Sequence, residues 1–210
     1  MKADRIKWEA RYRAGDRPHD GPPSPLLRRW LPRAARGRAL DVATGLGRNA
    51  IHLARAGYQV DAVDISPTAL REAARRARRE GLRGIRWIAA DLDRWRPSRG
   101  RYDLIVNAFF LDRRLFRLLR AALRPGGVLI VETHLDTEEA DGGPPGRSWR
   151  LRPGELRRLW GDWQILYARD GRARAGRRMI PLGRIVVRRP TPVRPPRRAG
   201  RSGSSRASSQ

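Results

Sequence analysis

The stretch LDVATGLGRNAIHLARAGYQVDAVDISPTAL, residues 40–70, decides how the rest of the chain is read. Arg38 to Ala43 is a short apolar strand running straight into a glycine loop, Asp41 to Gly47. Asn49 to Ala56 has helical spacing, and Gly57 stands where a left-handed cap ends a helix. Gln59 to Ile65 alternates into a second strand. Ser66-Pro67 then caps a helix that runs to Glu80 and stops at Gly81. A strand, a tight glycine turn, a helix and a second strand form one βαβ unit.

The same alternation continues outward. Gly84 to Ala90 reads as a third strand, Tyr102 to Phe109 as a fourth, Asp112 to Leu123 as a helix, and Val128 to Thr133 as a fifth strand after the turn Arg124 to Gly127. Apolar strands alternating with helices predict a parallel sheet covered on both faces. Before the unit, Ala3 to Ala14 is a short helix, and Ser24-Pro25 opens another over Leu26 to Leu31. After it come a Gly/Pro-rich loop at 136–150, a short helix from Pro153 to Trp160, and strands at Trp163 to Ala168 and Met179 to Val187. With Asp170 to Gly176 between them, these last two strands pair as an antiparallel hairpin. One domain over 1–187 is expected, with 1–33 as a helical cap and 188–210 as a disordered Arg/Pro/Ser-rich tail.

Composition narrows the chemistry. The chain has 210 residues, no cysteine and a net charge of +26. Disulfides, thiolate metal sites and cysteine nucleophiles are therefore out, and no metal site is expected. Every basic residue is arginine except Lys2 and Lys7. That skew, scattered along helices rather than interleaved with aromatics, reads as codon bias and a solvated surface more readily than as a nucleic-acid patch. No apolar run is long enough for a transmembrane helix, and the charged first residues lead into no signal-like segment. A cytoplasmic protein without membrane association is the expectation.

Open parallel sheets hold ligands at the carboxyl ends of their strands, which here carry Asp41 to Gly47, Asp64, Asp91, Asn107 and His134. Ala43, Gly45 and Gly47 leave room for a ligand against the backbone. Gly45 to Ala50 also fits a dinucleotide fingerprint, so a nicotinamide or flavin oxidoreductase is one alternative. The carboxylates favour another ligand. Asp41 stands where a pyrophosphate would rarely tolerate it, Asp64 is placed for ribose hydroxyls, and Asp91-Leu92 for an adenine amine and ring. Three acids at three strand ends suit a cationic nucleoside, S-adenosylmethionine.

The same string, followed by AADLD (89–93), YDLIVNAFFLDR (102–113), LRPGGVLIVETH (123–134) and LRPGELRRLW (151–160), resembles the bacterial class I methyltransferases grouped with the tellurite-resistance methyltransferase. The resemblance implies a Rossmann-like sheet of seven strands, ordered 3-2-1-4-5-7-6, with strand 7 antiparallel. It places the methionine moiety at Asp41, Ala43, Gly45 and Gly47, ribose and adenine at Asp64, Ile65, Asp91 and Leu92, and Asn107 nearest the sulfonium. Arg48 and Asn49 match the subgroup's Gly-Arg-Asn, with Arg48 within reach of the methionine carboxylate. Alanine at 43 departs from the usual glycine and should narrow the pocket.

The methyl acceptor is less legible. A small molecule is favoured because no added recognition domain is present, with RNA or protein as the alternative supported by charge. The acceptor should be read by 1–23, Phe109 to Arg113 and 135–150. His134 is the histidine best placed for proton transfer, although a loop or substrate contact fits it better. Glu155 reads as a helix-start residue. Trp8 and Tyr12 share a helical face, either as a lid over the cofactor or as core packing.

Overall fold

The computed structural model describes residues 2–16, 20–137, 146–175 and 178–192. Seven strands form one sheet in the order β3-β2-β1-β4-β5-β7-β6. They are β1 (Arg38–Val42), β2 (Gln59–Asp64), β3 (Ile85–Ala89), β4 (Tyr102–Ala108), β5 (Leu123–His134), β6 (Gln164–Ala175) and β7 (Arg178–Arg188). The first five are parallel, and β7 runs antiparallel to both β5 and β6. The six helices are α1 (Lys2–Arg13), α2 (Pro25–Trp30), α3 (Arg48–Arg55), α4 (Pro67–Arg79), α5 (Arg113–Ala122) and α6 (Glu155–Trp160). Among the described residues, no helix is long and apolar enough to cross a membrane.

Strand alternation divides the core into two layers. Leu40, Ile105, Leu129 and Val131 face α5 and α6, where they meet Leu115, Leu119 and Trp160. Ala39, Leu104, Val106 and Ile130 face the other way, against Leu27 of α2 and Ala50 and Leu53 of α3. Each fully buried leucine contributes about 2 kcal/mol, so the apolar faces hold the helices in place. Ser24 and Ser66 cap α2 and α4 as their sequence context predicts, accepting from Leu27 N and Ala69 N. The positive φ of Gly57 and Gly81 (87° and 70°) ends α3 and α4.

Two segments differ from expectation. Arg124 to Gly127 lies within β5 instead of preceding it, as a bulge between the pairs Tyr102–Leu123 and Leu104–Val128. Gly126 and Gly127 exchange backbone hydrogen bonds with Arg189, which draws the expected turn into the sheet. Asp170 to Ala175 continues β6 where a connecting loop was expected. Ala173 pairs with Ile180 across the ladder, and both pack with Leu182 and Phe109 in a small third cluster. The hairpin thus becomes an arm extending past His134, the last β5 residue paired to β7. The end of the expected loop at 136–150 is a 3-10 turn over Arg147–Trp149, and the loop's middle and the tail beyond 192 lie outside the described residues.

Candidate active site

The glycine loop folds back on itself through Thr44 N to Val63 O (2.9 Å) and Gly47 N to Thr44 O (2.9 Å). Asp41 is 1% exposed. Its carboxylate accepts from Thr44 Oγ1 and, at 3.1 Å, from the Ala50 amide in the first turn of α3. Burial pushes this carboxyl up to about 7. Asp41 therefore ties the loop to the helix and is not among the residues lining the cavity described below.

The glycines, too, serve the protein itself. Gly45 and Gly47 have φ of 55° and 75°. A Cβ on Gly45 would lie 2.9 Å from the Tyr12 hydroxyl, and one on Gly47 would lie 2.7 Å from the Trp87 ring and 2.9 Å from Ala73. Space for the Tyr12 hydroxyl of α1 and for Trp87 and Ala73 in the α4–β3 packing requires glycine there. Ala43 takes φ of 51°, a region that costs a residue with a Cβ about 1 kcal/mol. Ala43→Gly should therefore raise stability by at most about 0.6 kcal/mol after the extra unfolded-chain entropy of glycine, ~0.4–1 kcal/mol, is subtracted. A lowered denaturation midpoint would show that the strain is absent.

A cavity of about 510 Å³ opens at the carboxyl ends of the parallel strands. Of the residues expected there, Ala43, Arg48, Asn49, Asp64, Ile65, Asp91, Leu92 and His134 line it, whereas Gly45, Gly47 and Asn107 do not. Asn107 is fully buried, and both its amide nitrogen and oxygen are without partners. The pleat explains the difference: Ile105 packs on the α5 side, Asn107 shares its parity, and the next residue, Ala108, reaches the cavity.

Asp64 is 6% exposed. Its two oxygens accept from Gly45 N (2.7 Å) and Ser66 N (2.9 Å), while burial raises its pKa. Asp91 accepts from Asp93 N at 3.0 Å. Arg48 donates to Pro22 O (3.0 Å) and lies 5.4 Å from the centre of the Phe109 ring. Burial works against its charge, and the carboxylates of Glu132 and Asp41 support it. Asn49 accepts from Ser24 N at 3.0 Å, joining α3 to α2. His134 packs edge-on to Phe109, centroids 5.5 Å apart, and burial together with Arg150 lowers its pKa. At neutral pH it is therefore the uncharged, proton-accepting form. Phe109 has φ of 60°, an outlier for a bulky residue that sets its ring between Arg48 and His134.

Helix α1 roofs the cavity. Trp8 and Tyr12, centroids 6.2 Å apart, both line it. Glu9, between them in sequence, anchors the helix: its carboxylate accepts from Ser66 Oγ (2.6 Å), Thr68 Oγ1 (2.5 Å) and Thr68 N (3.3 Å) at the start of α4. Partial burial alone would raise this carboxyl, but these hydrogen bonds bring it down from 4.5 to about 2. A 12-residue helix is marginal without such tertiary contacts. A depressed carboxyl contributes stability above its unfolded pKa and loses it as pH falls towards the folded one. An acid titration followed by near-UV circular dichroism should show a step between pH 4.5 and about 2, absent in Glu9→Gln. A step retained in that variant would assign it to another group. Sequence reading missed this anchor because Glu9 meets its partners nearly sixty residues away.

Strand order, helices on both faces and a cavity over the strand ends define the class I methyltransferase fold. Residues 39–127 match the family model described as a methyltransferase domain. Hemagglutinin 1 of Eikenella corrodens is 32% identical over 136 residues, covering 61% of this chain and 44% of that protein. Ribosomal RNA small subunit methyltransferase C of Alcanivorax borkumensis is 39% identical over 103 residues, covering 44% and 31%. The chain thus spans less than half the length of these curated relatives. The crystal structure of TehB from Haemophilus influenzae superposes with a TM-score of 0.66 at 19% identity, covering 78% of this chain and 61% of that one. Fold and matches thus agree on a methyltransferase domain over residues 39–127 within a class I methyltransferase fold.

Proposed function

We propose that this chain transfers a methyl group from S-adenosylmethionine to a small-molecule acceptor in the cavity beneath α1. The supporting observation is that one cavity joins Asp64, Ile65, Asp91 and Leu92 to an aromatic half made of Phe109, Phe110 and Trp149, with His134 beside it. The first group suits an adenosine and the second a separate, roofed acceptor. The catalytic domain in this reading is 1–187, with 1–33 as its helical cap and 188–210 as a tail, in a cytoplasmic setting.

The residues present fit the cofactor. Asp64 already accepts two amide donors, and its desolvated carboxylate suits the two ribose hydroxyls as replacements or additional partners. Ile65 and Leu92 offer apolar surface to the adenine, Asp91 accepts its amine, and Arg48 faces the methionine carboxylate. Asp41 acts through the loop it holds, and an ammonium bound nearby would favour the ionised form of its carboxyl. Asn107 is buried at the end of β4 with both amide atoms unpartnered and does not line the cavity.

When bound, S-adenosylmethionine supplies an electrophilic methyl on a sulfonium, and an acceptor lone pair forms the new bond as the methyl–sulfur bond breaks to leave a neutral thioether. The protein's work is to align the partners and exclude water. Trp8 and Tyr12 do the latter from the roof. His134, uncharged at pH 7, takes a proton where the acceptor carries one. RNA or protein acceptors remain a second reading, favoured by the ribosomal RNA relative.

Calorimetric titration with S-adenosylmethionine, S-adenosylhomocysteine and NAD(H), followed by transfer of labelled methyl to candidate acceptors, tests the reading. Binding of the first two is expected. Binding of NAD(H) alone would overturn it.

A further inference from the structure

One surface patch departs from the rest of the arginine-rich exterior. The chain has no acidic residue between Gly21 and Leu40, and from Trp163 to Val193 only Asp170. The fold brings these two segments together: Trp30 at the end of α2 packs against Tyr167 of β6, centroids 6.2 Å apart. Arginines cover both rings. The Arg29 guanidinium lies 5.3 Å from the Tyr167 centroid and 5.9 Å from that of Trp30, Arg33 lies 5.4 Å from Trp30, and Arg184 lies 6.0 Å from Tyr167. Arg33 is further held by its hydrogen bond to Arg29 O (2.8 Å).

These charges lack carboxylate partners. None of Arg29, Arg33, Arg169 or Arg184 forms an ion pair among the described residues. Glu132, opposite Arg184 on the β5–β7 ladder, interacts with it electrostatically. Asp170 is engaged with the Gly154 amide at 2.6 Å. Arg169 and Arg184 stand directly opposite each other on the β6–β7 ladder, where like charges destabilise a sheet. The Arg184 Nε is buried and unpartnered. Elsewhere, Arg55 of α3 and Arg76 of α4 both pair with Glu80.

We propose that this face, formed by α2 and the β6–β7 ladder, is a docking surface for single-stranded RNA. Guanidinium groups stacked on aromatic rings are held in fixed directions, so less side-chain entropy is lost when they fork onto phosphates. Phosphate binding relieves the opposed charges and releases counterions. A membrane fits less well, because the aromatic rings lie beneath arginines and present no apolar wedge. Ser24, at the head of α2, is bonded to the cavity-lining Asn49, and Arg29 lies five residues on, about 8 Å along the helix. The inference holds whether the methyl acceptor is a separate small molecule or a group carried by the RNA.

The test is anisotropy of a labelled 20-nucleotide single-stranded RNA on the full chain across a salt series. Arg29→Gln/Arg33→Gln/Arg169→Gln should flatten the slope of log affinity against log salt by about 2, given ~0.7 per neutralised phosphate. Arg75→Gln/Arg78→Gln/Arg79→Gln on α4, which removes the same charge, should change it far less. Equal flattening by the two triple variants would mean diffuse charge and overturn the proposal. So would an unchanged slope in the first, or loss of binding to phosphatidylserine vesicles with RNA binding kept. The single exposed change Arg33→Gln, expected to flatten the slope by about 0.7, decides the matter if the triple variant misfolds. Cofactor calorimetry on each variant keeps the outcomes separate: failure to bind S-adenosylmethionine by the wild type would remove the methyltransferase reading and leave the RNA result standing.

Discussion

Asp64→Ala should weaken S-adenosylmethionine binding by about 100-fold. Two ribose hydroxyls donating to one buried carboxylate are worth about 1.5 kcal/mol each, and the sum corresponds to roughly that factor. Asp64 also accepts from Gly45 N and Ser66 N, so the substitution loosens the glycine loop and costs some stability. Asp64→Asn keeps the size and one acceptor oxygen but turns its amide NH2 towards one of those two backbone donors, so it should cost about 1–3 kcal/mol of stability while losing about tenfold in affinity, because the charge-assisted bonds become neutral ones. Calorimetry alongside thermal denaturation reads both quantities. Unchanged affinity in the alanine variant would remove Asp64 from the ribose site.

Gly47→Ala is expected to lower folding stability by about 3 kcal/mol. The left-handed backbone at Gly47, φ 75°, costs alanine about 1 kcal/mol. The new methyl would also meet the Trp87 ring and Ala73 at under 3 Å, and overpacking of this kind adds 1–3 kcal/mol. Because α3 begins immediately after Gly47 and carries Arg48 and Asn49 into the cavity, cofactor affinity should fall as well. Denaturant unfolding gives the stability change directly. A loss below 1 kcal/mol would mean that Trp87 moves aside and the loop is not tightly packed. The glycine pattern thus tests as a packing requirement, where its sequence context suggested room for a ligand.

The parallel sheet, its strand ends and most of the cavity wall were legible from local signals. Apolar runs bounded by Gly57, Gly81 and Ser66-Pro67 mark element limits through backbone chemistry that acts within a few residues. Asp64, Ile65, Asp91 and Leu92 follow strands, and a strand end in such a sheet faces the ligand edge wherever the strands pair in register. Asn107 shows where that reasoning stops. Its position at a strand end was legible, but a period-2 pleat sends alternate side chains to opposite faces, and one residue of parity separates the cavity from the α5 layer. The β6–β7 arm was likewise readable in principle: Arg172-Ala173-Arg174-Ala175 alternates, but its apolar members are small, and Phe109, which completes their cluster, lies far away in sequence.

By itself, then, the sequence determined the order of strands and helices, the turn positions and the cofactor class, since these rest on local conformational preference and on charge types at predictable strand ends. Only the tertiary structure decided that Asp41 ties the loop to α3, that Glu9 anchors the roof, and that Arg29 meets Tyr167, beside which Arg184 also lies, across 138 residues of chain while Arg33 lies over Trp30. Arginines that look scattered along the chain become a patch when two distant segments pack through Trp30 and Tyr167. Side-chain hydrogen bonds and ring contacts act over a few ångströms in space, and a linear reading has no measure of that distance.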